Sequence, residues 1–115
     1  MKDDLLVRYR NAAYEHSIAS ADGRYKVANK AYDEIQSILE EISLSNRDDE
    51  LFELYEDAEP GVQLWAATHT LEIDSLRAEQ KIKELVNDPS IIGLSAQMTL
   101  RGWRAGKIRF RDSKH

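Results

Sequence analysis

Residues 25–43 read YKVANKAYDEIQSILEEIS, and within them Val27, Ala31, Ile35, Ile38, Leu39 and Ile42 recur at three- and four-residue spacing. That spacing draws one apolar stripe along an α-helix, with Lys30 and Glu34 four apart on the outer side. A lone amphipathic helix is not stable in water, so other helices must cover the stripe. The rest of the chain supplies them.

Upstream, Asp3 or Asp4 can cap a first helix whose face carries Leu5, Tyr9, Ala13 and His16, and Asp22-Gly23 supplies a stop. Downstream, Ser45-Asn46-Arg47-Asp48 is a polar break. A short helix follows, with Leu51, Leu54 and Tyr55 on one face and Asp48, Asp49 and Glu50 at its dipole-positive start. Pro60 suits the first turn of a fourth helix, whose face is Val62, Trp65, Ala66, His69 and Ile73. Asp74-Ser75 opens a fifth with Leu76, Ile82, Leu85 and Val86, and Asn87-Asp88-Pro89 ends it. A sixth runs from about Leu94, with Ser95 near its start, to Arg104, and Gly106 is its stop. The expected helices are therefore 3–21, 25–44, 48–57, 60–73, 75–86 and 94–104, with no stretch able to seed a sheet. The fold class is all-α, in one domain spanning 1–115. The tail 107–115 is basic: Lys107-Ile108-Arg109-Phe110-Arg111 alternates charge and apolar character, which suits a short extended segment with Ile108 and Phe110 against the helices. Trp65, Ala66, His69, Leu71, Ile35, Leu39, Leu100 and Trp103 are the expected core.

Composition agrees. The 115 residues are 42% hydrophobic and 32% charged, with only five glycines and two prolines, which favours helices over an all-β sandwich. The absence of cysteine excludes disulfides, a thiol nucleophile, Cys-ligated zinc and iron–sulfur clusters. No run of 18 apolar residues exists and residues 1–20 hold no signal-peptide core, so the expectation is a cytoplasmic protein without membrane partner.

The net charge of −5 is unevenly spread: residues 33–59 hold eleven acids and one base, whereas residues 101–115 hold six bases and one acid. Arg101, Arg104, Lys107, Arg109 and Arg111 with Trp103 and Phe110 have the residue types that track phosphates and stack bases. The acidic block would repel a long polyanion, so no nucleic-acid partner is expected.

Catalytic and metal motifs are missing. His16 and His69 fall on apolar faces, with no HExxH, no HxxxH and no acid four residues on, and read as core or groove histidines. Glu50, Glu53 and Asp57 fall on one α-helical face, yet lack the glycine of a calcium loop and the Glu-x-x-His of a di-iron bundle. The glycines are too dispersed for a phosphate loop, and Ser95 in GLSAQ lacks the second glycine of a nucleophile elbow. No catalytic residue, metal or cofactor is assigned.

The segment Glu59-Pro60-Gly61-Val62-Gln63-Leu64-Trp65-Ala66-Ala67-Thr68-His69-Thr70-Leu71 resembles the first helix of a HEAT-type repeat, where an alanine pair permits close helix packing. The fifth helix would complete that repeat and the sixth would begin another. More broadly, Ala28-Asn29-Lys30-Ala31-Tyr32, Leu64-Trp65-Ala66-Ala67-Thr68-His69 and the segment AQMTLRGWRAGK at 96–107 look like those of a small bacterial family of unknown function that is similar to HEAT-like helical repeat proteins. The resemblance implies an α-α superhelix of about six helices and carries over no catalytic residue.

The functional expectation is a protein–protein interaction module. Its sharper form is an immunity or antitoxin-like protein that binds a basic toxin through Asp33, Glu34, Glu40, Glu41, Glu50, Glu53, Glu56 and Asp57. The competing readings are a small enzyme using His16 or His69, which requires a pocket with converging acids around the histidine, and a structural adaptor, which requires neither feature.

Overall fold

A computed structural model describes residues 4–106, and the expectation for Ile108 and Phe110 lies outside the described residues. Among those residues the chain is all-α, with six helical elements and no strand: α1 (Leu5–Ala21), α2 (Tyr25–Leu44), a 3-10 helix (Asp48–Glu56), α3 (Pro60–His69), α4 (Ser75–Leu85) and α5 (Ile91–Arg104).

The boundaries follow local chemistry. Asp4 caps α1 by accepting from the N–H groups of Leu6 and Val7. Gly23 at φ 74° closes it, and the Arg24 N–H reaches back to the Ala19 carbonyl at 2.9 Å. Asn46 at φ 57° does the same for α2, with the Arg47 N–H on the Ile42 carbonyl at 2.9 Å. The expected stripe of α2 is covered as anticipated: Ala31, Ile35, Ile38, Leu39 and Ile42 are buried, and only Val27 is partly exposed. It packs along α1 to form the longest antiparallel pair.

Three details differ from the sequence reading. The segment after the polar break is a 3-10 helix, not an α-helix, which changes which side chains align. α3 stops at His69 rather than at residue 73, because Thr70 Oγ1 donates to the Ala66 and Ala67 carbonyls and the chain turns there. The Tyr55 hydroxyl then donates to Thr70 Oγ1 at 2.7 Å, locking the turn to the 3-10 helix. α5 starts three residues early, at Ile91. Asp88 accepts from the Ser90 N–H and hydroxyl, and Ser90 in turn caps the helix through the Ile92 N–H, so Ser95 lies inside the helix rather than near its start.

α3 is the hub. Gly61, Val62, Leu64, Ala66, Ala67, Thr68 and His69 are all buried, as befits a helix apolar on nearly every side. It packs against α1, the 3-10 helix, α4 and α5. Of the expected core, Ala66, His69, Leu71, Ile35, Leu39 and Leu100 are buried. Trp65 and Trp103 are only partly buried, because each points its indole N–H to a polar partner near the surface: Trp65 to His16 and Trp103 to Glu79.

Candidate binding cleft and acidic ridges

α1, α2 and α5 rise on two sides of α3 and leave a cleft of about 520 Å³ between them. Gly61, Leu64, Trp65 and Thr68 of α3 form its floor. His16, Ser17 and Ser20 of α1, with Tyr32 and Gln36 of α2, form one wall. Ile91, Ile92, Ser95 and Thr99 of α5 form the other. The floor depends on Gly61: a Cβ there would overlap the Ser17 side chain, with the Ser17 Cβ only 2.7 Å away, so α3 and α1 meet this closely only because residue 61 has no side chain.

An aromatic chain runs from the core to the mouth of this cleft. The Tyr9 hydroxyl and His69 Nδ1 share a 2.6 Å hydrogen bond in the interior, where burial pushes the Tyr9 phenol well above its ordinary range. His69 packs on Trp65 with ring centroids 5.2 Å apart. Trp65 meets His16 edge-on at 5.1 Å and Tyr32 at 5.9 Å. The Trp65 indole N–H donates to His16 Nδ1 at 3.3 Å. An indole nitrogen can only donate, so His16 accepts at Nδ1 and carries its proton on Nε2. Partial burial also lowers the His16 pKa, which favours this neutral form.

The eight acids expected to bind a partner separate into two groups. Asp33, Glu34, Glu40 and Glu41 are exposed on α2, where seven-residue spacing puts Asp33 above Glu40 and Glu34 above Glu41. In the 3-10 helix, side chains three apart eclipse. Glu50, Glu53 and Glu56 therefore share the outer ridge, and Leu51 and Leu54 share a buried one. Glu50 is clasped by Arg47 through two bonds of 2.8 Å, while Glu53 and Glu56 are exposed.

Asp57 does not join Glu50 and Glu53 on one face, as α-helical spacing had suggested. It follows the ridge of Leu51 and Leu54 inward and accepts from Arg10 Nε at 2.9 Å and Nη2 at 3.2 Å. It also accepts from the Glu59 N–H, and the Arg10 guanidinium holds its carboxyl below the usual carboxylate range. Its side chain is 13% exposed and is engaged by Arg10, unlike the open carboxylates of Glu53 and Glu56.

Among the described residues, no group of three or more His, Cys, Asp or Glu side chains is placed to hold a metal ion. No helix among them is long and apolar enough to cross a membrane. His69 is enclosed, and among the described residues no carboxylate lines the cleft beside His16. Sequence reading singled out His16 and Trp65 but not the cleft they share. Ile91, Leu94 and Met98, at i, i+3 and i+7, form an exposed apolar stripe on α5 beside it. The sequence shows the spacing of Leu94 and Met98, but Ile91 lies before the expected helix 94–104. No family model, curated protein or solved structure matches this chain.

Proposed function

We propose that this chain is a protein-recognition module that binds a basic protein partner through its exposed acids. Its sharper form is an immunity or antitoxin-like protein of a bacterial cytoplasm that neutralises a basic toxin. The observation that supports this reading is the set of carboxylates on outer ridges of α2 and the 3-10 helix: Asp33, Glu34, Glu40, Glu53 and Glu56 are exposed and make no ion pair among the described residues. Like charges on neighbouring ridges cost stability, and such a field accelerates encounter with a basic surface. A chain without cysteine fits a reducing compartment. The HEAT-like reading belongs with this one: α3–α4 and α4–α5 pack in sequence order, with Ala66, Ala67, Ala78 and Ala96 fully buried, as stacked helical repeats require.

The test is a pulldown from the native host at low and physiological salt, using the parent chain and a Glu40→Gln, Glu53→Gln, Glu56→Gln variant. A basic partner recovered by the parent at low salt, and depleted both by salt and by the variant, is the expected result. Recovery of only acidic or neutral partners, indifferent to the triple change, counts against the reading.

A further inference from the structure

The cleft over α3 differs from the rest of the described surface in one respect: among the described residues no Asp, Glu, Lys or Arg lines it, although 32% of the chain is charged. Its volume of about 520 Å³ lies within the range of sites that enclose one small organic molecule, roughly 300–1,000 Å³. Trp65 and Tyr32 offer ring surfaces, and Leu64, Ile91 and Ile92 supply aliphatic contact. Besides Trp65, eight of the thirteen described lining residues carry a hydrogen-bonding side chain; the His16 Nε2–H and the Tyr32 hydroxyl can donate, and most of the others fall into two kinds. Ser17 and Thr99 spend their hydroxyl protons on backbone carbonyls four residues back, which leaves oxygen lone pairs to accept. Gln36, Ser20 and Ser95 spend no side-chain group on another described residue, so both donors and acceptors remain for a ligand.

We propose that this cleft is a binding site for a small, uncharged, largely apolar planar molecule bearing one or two hydrogen-bonding groups. A charged ligand would lose its hydration here without meeting a counter-charge among the described lining residues, whereas a neutral ring loses only apolar contact with water. The neutral state of His16 keeps the wall uncharged near neutral pH. The site shares no residue with the acidic ridges, so it stands or falls independently of the protein-partner reading.

The test uses the full chain and four probes in two-dimensional amide NMR at pH 7.5: indole and coumarin, which are neutral, and indole-3-acetate and tryptamine, which carry opposite charges. The neutral probes are expected to give saturable shifts of the Ser17, Trp65 and Ser95 amides and of the Trp65 indole N–H. The charged analogues are expected to bind roughly tenfold more weakly or worse. Ser95→Phe, which fills the cleft from α5, is expected to abolish the shifts while resonances of α4 stay in place. Should that variant not fold, Gln36→Ala at its partly exposed site on α2 is expected to weaken binding severalfold. The Glu40, Glu53, Glu56 triple variant is expected to bind the neutral probes as the parent does. The proposal is overturned if no probe gives a saturable shift, or if charged and neutral probes bind alike. Shifts confined to Leu94 and Met98, or cleft resonances that move only with protein concentration, also overturn it; the latter result would mark a second copy as the occupant.

Discussion

Arg10 holds Asp57 by a two-point hydrogen-bonded ion pair, and through it the first helix is tied to the end of the 3-10 helix 47 residues later. The pair is partly buried and charge-assisted, the kind of contact whose loss is measurable. Asp57→Asn is expected to lower unfolding stability by about 1–2 kcal/mol in urea denaturation at pH 7. The Asp57 pKa is lowered on folding, so the pair's contribution is present above the ordinary carboxylate pKa and fades as pH falls through the folded value. The parent is therefore expected to lose stability on acidification faster than Asp57→Asn does. By contrast, charge reversal at Glu53 and Glu56 is expected to leave the melting temperature unchanged or raise it.

Ala66 is fully buried in the second half of α3, between the buried Leu64 and Ala67. Ala66→Glu places a carboxylate in that contact and is expected to cost roughly 3 kcal/mol or more. Thermal denaturation followed by circular dichroism checks it. A melting point within a degree or two of the parent would refute the close-packing role of the alanine pair.

Gly61 and Ser17 are coupled by shape. Gly61→Ala is expected to destabilise by about 1–3 kcal/mol, because the new methyl overlaps the Ser17 side chain. Ser17→Gly in the same chain removes the obstruction and is expected to restore part of the loss. A double-mutant cycle measures that coupling, and strictly additive effects would show that the two helices do not meet at this point.

His16 is held neutral by partial burial, which lowers its pKa. The sign follows: below the unfolded value near 6.5 the unfolded chain binds a proton that the native chain resists, so folding stability declines as pH falls from there toward the folded pKa. His16→Gln lacks this dependence. The stability difference between parent and His16→Gln, from urea unfolding between pH 8 and pH 5, is expected to move against the parent on the acid side. A difference independent of pH would place His16 in open solvent.

Helix count and order were legible because apolar spacing repeats at 3.6 residues and turn residues punctuate it. Val27 to Ile42 gave α2, and Pro60 gave the start of α3. What escaped was geometry that spacing alone does not encode. Leu51, Leu54 and Tyr55 satisfy an α-helical face and a 3-10 ridge almost equally, and only the choice of helix type decides that Glu56 rather than Asp57 joins Glu53 outside. The start of α5 lies three residues before the expected Leu94 because Asp88 and Ser90 act as a linked turn and cap, which apolar spacing does not reveal. The cleft was not legible at all. His16, Gln36, Trp65 and Ser95 lie on four helices, and nothing in their separations along the chain announces that they face one space.

The central position of α3 has a consequence for how the chain opens. A helix packed on α1, the 3-10 helix, α4 and α5 cannot expose its backbone until partners on both sides withdraw. The amide protons of its mostly buried second half, Leu64 to His69, are expected to exchange with solvent only through global opening, whereas the tips of the flanking helices fray at far lower cost. Folding is correspondingly expected to be all-or-none: the core cluster draws on helices before and after α3, so a cut on either side of α3 is expected to leave two fragments that each depend on the other to fold.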